Sequence, residues 1–281
     1  MKLAFKILLL TLTFSIAAYA QTTMQKRAQA GDSLSQYYLG NAYLEGDGVP
    51  KDAEQAAFWF RKAADQGDAD AQYNLGILYF NGIGVPEDRQ QTAHWLRKAA
   101  DQGYGAAQIS LGTMYLEGNG VPKDEQQAAF WMRKAADLGR VQAQYNLGVM
   151  YSEGIGVAKD PQQAVFWYRK AADQGNAHAQ VNLGVLLRKG EGVPKDDQQA
   201  VNLYRKPAEQ GDATAQFNLA SMYAFGRGVP KDEELAYFWL LLSSAQGYED
   251  AVKQRDEIEK KLTPQQRSSA QISARNWIPK K

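Results

Sequence analysis

Residues 67–102 read GDADAQYNLGILYFNGIGVPEDRQQTAHWLRKAADQ, and the register of the whole chain is set by this stretch. Its first half places Ala71, Leu75 and Tyr79 at i, i+4 and i+8 with Leu78 beside them, one apolar stripe at helical period. Gly82-Ile83-Gly84-Val85-Pro86 then interrupts. Glycine suits a chain leaving a helix with positive φ, and proline keeps that helix from continuing. Asp88, with Gln91 three residues on, is a capping-box-like start for a second helix. In the preceding copy Ala56, Trp59, Phe60 and Ala63 give that second helix one apolar side. Arg61 and Lys62 lie off the stripe, near the end where cations suit the helix dipole.

The pattern recurs every 36 residues, with Gly31, Gly67, Gly103, Gly139, Gly175, Gly211 and Gly247 as openers. Six units are therefore expected, at 31–66, 67–102, 103–138, 139–174, 175–210 and 211–246, each a helix A and a helix B. Asp52, Asp88, Asp124, Asp160, Asp196 and Asp232 each precede a helix B, and Pro161 follows Asp160 where a missing N–H costs nothing. Residues 21–30 end like a helix B and predict a capping half repeat. Leu240, Leu241 and Leu242 make the last helix B apolar where other copies face water, so residues 247–281 are expected to cover it as a helical cap. The fifth unit has Leu187 and Leu203 where others have Tyr and Trp, and Pro207 inside helix B predicts a bent, shortened or loose element.

The N-terminus has Lys2 and Lys6 before an apolar run from Ile7 to Ala18, and Ala18-Tyr19-Ala20 offers small residues at −3 and −1. This predicts a cleaved secretory signal over 1–20, with a permanent anchor as the alternative, although a run this short falls below the ~20 residues that span a bilayer. The expected location is periplasmic, secreted or cell-surface, without membrane insertion after cleavage. Among 281 residues, 32 Lys+Arg stand against 31 Asp+Glu, so no basic field invites nucleic acid. With no cysteine, there is no disulfide, thiolate nucleophile, cysteine-ligated metal or lipid anchor.

The motifs A-Q-x-N-L-G-x-x-Y, G-x-G-V-P-K-D and A-x-x-W-x-R-K-A-A resemble the Sel-one-like repeat family, relatives of the tetratricopeptide repeat, over about nine-tenths of the mature chain. The resemblance implies an all-α, right-handed α-solenoid with A helices lining a concave groove. It also implies an interaction scaffold or adaptor for a protein or peptide in envelope complexes or host-cell contact, not an enzyme. Cysteine-rich exported relatives suggest an alternative, a β-lactam or peptidoglycan hydrolase or binder, but this chain lacks their cysteines.

No catalytic constellation is legible. No serine has lysine three residues on, K-T-G and G-x-S-x-G are absent, and His94 and His178 sit in different helix types of distant units. No catalytic residue, metal ligand or cofactor is expected, and the G-x-G loops lack the G-x-x-x-x-G-K-[ST] of a phosphate cradle. Trp59, Trp95, Trp131, Trp167 and Trp239 recur at one helix B position, which reads as packing. Asn74, Asn146, Asn182 and Asn218 recur mid helix A, where Asn needs a specific hydrogen bond. That bond goes either to neighbouring backbone or to an extended ligand. Binding residues should vary between units on the groove face. By that criterion the candidates are Tyr37, Asn41 and Leu44; Tyr73, Ile77 and Phe80; Thr113 and Leu116; Tyr145 and Val149; Val185 and Arg188, joined by the four asparagines. This mildly apolar, nearly uncharged strip suits a protein or peptide partner of a monomeric chain better than a phosphate-rich polymer.

Overall fold

In the computed structural model residues 22–280 are described, so the expected signal segment lies outside the described residues. The chain divides into two compact units, one ending at Leu138 and the other beginning at Gly139. Unit 1 holds α1 (residues 22–29), α2 (Ser33–Glu45), α3 (Ala53–Asp65), α4 (Ala69–Asn81), α5 (Arg89–Asp101), α6 (Gly105–Glu117) and α7 (Glu125–Asp137). Unit 2 holds α8 (Val141–Glu153), α9 (Pro161–Asp173), α10 (Ala177–Lys189), α11 (Asp197–Glu209), α12 (Ala213–Phe225), α13 (Glu233–Ala245), α14 (Glu249–Glu259) and α15 (Pro264–Asn276). The described residues contain no strand. The architecture is a helical-repeat array of A and B helices, each 13 residues long from α2 to α13.

Local chemistry explains the uniformity. Each helix B starts at its aspartate, as Asp88 accepts from the backbone N–H of Gln90 and Gln91, both at 2.9 Å. The fully reciprocal box forms at Thr263 and Gln266, at the start of α15. Each helix A ends at a left-handed glycine such as Gly82, φ +64°. The Asp88 N–H then donates back to the Tyr79 carbonyl at 3.0 Å and closes the loop. Ala71, Leu75, Leu78 and Tyr79 are buried as the stripe required, with Ala56, Phe60 and Ala63 of the preceding helix B in the same core and Trp95 of their own helix B closing it. Helix A also carries a glycine where helix B comes closest: a Cβ on Gly76 would lie 3.1 Å from Leu96 Cγ, and one on Gly184 would lie 2.5 Å from the Tyr204 ring. The second loop glycine has another task. A Cβ on Gly84 would overlap the Ala53 carbonyl of the preceding repeat.

Successive repeats are also tied by glutamine. The Gln72 Nε2 donates to the Ala64 carbonyl at the end of the previous helix B, and its Oε1 accepts from Gln102 Nε2 at 2.8 Å. The same relay links Gln36 with Ala28 and Gln66, so α1 stands to α2 as a helix B stands to the next helix A. In unit 2, Gln216 bonds Ala208 and Gln246 likewise. At the third repeat the donor is replaced by Leu138, and Gln108 Oε1 is left buried without a partner. That costs about 1–3 kcal/mol.

Two expectations concern the far end. Pro207 does not shorten its helix: α11 keeps 13 residues, because Pro207 lies in the last turn, where its carbonyl still accepts from Gln210 and Asp212. Leu240 and Leu242 are buried where α14 and α15 pack on α13. The tail after α15 returns to α11, with the Lys280 N–H donating to the Glu209 carbonyl at 2.8 Å.

Candidate functional site

Within each unit the stripe that packs helix A against helix B fixes which residues are left on the remaining face. Ile77, one residue before the buried Leu78, is half-buried, and Phe80 is exposed. The other expected groove residues, Tyr37, Asn41, Leu44, Tyr73, Asn74, Thr113, Leu116, Tyr145, Asn146, Val149, Asn182, Val185, Arg188 and Asn218, are all half-buried. Only some are brought together.

In unit 1, Ile77, Phe80 and Thr113 line a cavity of about 280 Å³ with Leu96, Ile109 and Met114, so α4, α5 and α6 all contribute. At its edge the Arg89 guanidinium lies 3.8 Å from the Phe80 ring centroid and pairs with Glu87 at 2.7 Å. Apolar walls and one stacked cation can hold an aliphatic or aromatic side chain. Tyr37 and Leu44 instead pack against the core of the first helix pairs, and Tyr73 stacks on Tyr104, ring centroids 5.0 Å apart.

In unit 2, Tyr145, Val149, Asn182 and Val185 line a cavity of about 350 Å³, together with Ser152, Lys159, Tyr168, Lys189 and Glu191. This one is polar. The Tyr168 hydroxyl bonds Asn182 and Ser152, and burial outweighs those bonds to push its pKa up to about 12. Burial does the same to Tyr204, whose hydroxyl is buried without a hydrogen-bond partner among the described residues, the positive charge of Arg188 offsetting part of the rise. Both hydroxyls stay protonated at neutral pH, and that of Tyr168 is a hydrogen-bonding group of the cavity. The asparagines divide: Asn182 faces the cavity, whereas Asn146 accepts from Gln142 Nε2 at 2.9 Å. Asn74, Asn218, Asn41 and Leu116 line neither cavity.

Trp95, Trp131, Trp167 and Trp239 are buried, and the indole N–H groups of Trp59, Trp95, Trp131 and Trp167 have no acceptor. His94 is exposed, edge-on to Trp95, and His178 is exposed beside Tyr145. Among the described residues no group of three or more His, Asp or Glu is placed to hold a metal, and no helix is long and apolar enough to cross a membrane.

Sequence reasoning missed the cavity walls that belong to helix B, such as Leu96 and Tyr168, because they share the register of the core. It also missed Tyr104, which carried a readable signal. Tyr104 is the N-cap of α6 and makes no side-chain cap bond, at the position where Asp32, Asp68, Asn176 and Asp212 all do.

A family model described as Sel1 repeat matches residues 33–68, 69–104, 105–139, 141–176, 177–212 and 213–248. Among solved structures, a Sel1 repeat protein from Oxalobacter formigenes is 34% identical, covering 81% of this chain and 96% of that one, with a TM-score of 0.63. A protective antigen of uropathogenic Escherichia coli strains with an SLR fold is 31% identical, covering 93% of this chain and 72% of that one, TM-score 0.41. Helicobacter pylori cysteine rich protein B is 29% identical, covering 46% of this chain and 92% of that one, TM-score 0.38. None of the curated proteins matches the chain.

Proposed function

The chain belongs to the Sel1 repeat family, and from that premise we propose that it is an exported, non-enzymatic interaction protein that takes a protein or peptide partner on its helix A faces. The observation that carries this reading is the pair of cavities, one within each unit, lined in large part by helix A positions that vary between repeats while the leucine at the Leu75 position recurs in all six. The Ile77 position reads Asn41, Ile77, Thr113, Val149, Val185 and Ser221 along the array, a series free of charge. Such a surface recognises side chains and backbone amides rather than phosphates. Export rests on the basic, apolar and small-residue segments of residues 1–20.

The test is crosslinking of the protein in its native envelope, with captured proteins identified by mass spectrometry. Partners captured by the wild type should be lost when Ile77→Asp and Val185→Asp are combined. A double variant that retains all of them overturns the groove assignment. Sequencing of the exported form should begin at Gln21, and a product still carrying Lys2 would overturn the export reading.

A further inference from the structure

The tyrosines at the start of the unit 1 helix A faces are not accounted for by either cavity. Tyr73 and Tyr104 stack at 5.0 Å with their planes 35° apart. The Asp70 carboxylate, three residues before Tyr73 on the same helix, is near enough to the Tyr104 hydroxyl to add to the upward push that burial gives its pKa; Asp70 is exposed and belongs to none of the described ion pairs. Arg61, Arg89 and Arg97 of this unit sit over other rings, those of Tyr79, Phe80 and Tyr115. Tyr104 occupies an N-cap position without capping, and a lost cap costs about 1 kcal/mol. Stacking accounts for that exchange, because Tyr248 makes it too and stacks on Phe217 at 5.0 Å; what is particular to unit 1 is the carboxylate, Thr214 standing where Asp70 would be.

Three repeats further along, the register positions of Tyr37, Asp70, Tyr73 and Tyr104 hold Tyr145, His178, Val181 and Asp212. There the chain supplies its own basic group. The His178 ring lies 5.9 Å from that of Tyr145, and its Nδ1 lies 4.0 Å from the Asp212 carboxylate. In unit 1 an aromatic surface and a carboxylate are present, and none of the described ion pairs brings a base to that carboxylate. Ring faces attract cations, and a carboxylate at their rim adds charge complementarity.

We propose that Tyr73, Tyr104 and Asp70 form a docking site for a cationic side chain, arginine or lysine, of the protein partner. This rests on the groove reading and names one of the chemical groups the partner presents. The ammonium or guanidinium lies against the tyrosine faces and its N–H groups donate to Asp70, while the neighbouring apolar cavity receives a second side chain.

The full chain, with its tyrosines carbon-13 labelled, is titrated by NMR with the peptide acetyl-Gly-Gly-Arg-Gly-Gly-amide and with its citrulline counterpart, which has nearly the same shape and no charge. The arginine peptide should move the Tyr73 and Tyr104 ring signals with an affinity on the order of millimolar. Tyr248 should stay unmoved. Asp70→Asn should weaken the response about five- to tenfold, and Tyr104→Asn, which restores a capping side chain and so keeps α6 stable, should abolish it at Tyr73. Equal shifts with citrulline, or an unchanged affinity in Asp70→Asn, overturn the inference. Partner capture that depends on Ile77 but not on Asp70 overturns it alone. An arginine response that persists while capture ignores Ile77 and Val185 overturns the groove reading instead.

Discussion

The cavity of unit 1 and the cavity of unit 2 occupy the same register on the same kind of helix pair, yet one is walled by Ile77, Leu96, Ile109 and Met114 and the other by Tyr145, Tyr168, Asn182 and two lysines. The difference starts from one helix B position, Leu96 in unit 1 and Tyr168 in unit 2, where the side chain packs under a helix A glycine and also reaches the open face. A core residue can therefore set the polarity of a surface. Aliphatic bulk there dries the cavity, whereas a phenol delivers a hydroxyl to it.

Substituting the glycines should separate the two units most. Gly184→Ala drives a Cβ into the Tyr204 ring, which cannot bend away, so a loss of about 2 kcal/mol is expected. Gly76→Ala meets Leu96 Cγ and Cδ2 at 3.1 and 3.2 Å, which a shift of a few tenths of an ångström relieves, and the helix propensity gained by alanine, about 1 kcal/mol, should offset most of the crowding. Urea denaturation followed by tryptophan fluorescence measures both, and equal losses would erase the distinction. Next in size are the binding effects of single charges. Ile77→Asp puts a carboxylate in the apolar cavity and should weaken a captured partner more than tenfold, about 1.5–2 kcal/mol. Val185→Asp, beside Lys159 and Lys189, should cost only a few fold. Titration calorimetry with a partner identified by crosslinking reads the contrast.

Leu138→Gln concerns how unit 1 ends. It restores the donor that Gln108 Oε1 lacks and should stabilise unit 1 by about 1 kcal/mol, seen as slower hydrogen exchange in α6 and α7. No gain would mean that the buried oxygen is satisfied by water. The smallest effect near neutrality is that of pH. Tyr168 and Tyr204 in unit 2 and Tyr104 in unit 1 are raised to about 12, so the unfolded chain releases these protons first as pH climbs past 10. Stability should be unaffected below that, then fall between pH 10 and 12, more steeply in α8–α15 than in α2–α7 as exchange resolves them.

Much of this was legible in advance because each helix boundary is written twice, by a residue that caps and by one that stops: Asp88 and Pro86, or Gly82 after Tyr79. The stripe of Ala71, Leu75, Leu78 and Tyr79 left little freedom in how the pair packs. Tertiary partners were harder. Gln72 is polar and mid-helix, so its burial becomes intelligible only when Ala64 and Gln102 are seen on either side of it. Pro207 misled because its cost depends on its distance from the helix end, not on its being inside. Tyr104 shows the opposite case, a breach of the capping pattern visible in sequence whose meaning depended on Tyr73 and Asp70 lying beside it.

The loop glycines have a consequence for how such chains grow. Gly84, Gly120, Gly192 and Gly228 each press on the backbone of the preceding helix B start, at Ala53, Arg89, Pro161 and Asp197 respectively. Those four neighbours share no side-chain chemistry, because the joint is made with a carbonyl that every residue possesses. A repeat copied by gene duplication can therefore settle against an unfamiliar predecessor without compensating mutations. Its outward residues are then free to diverge toward new partners from the first generation.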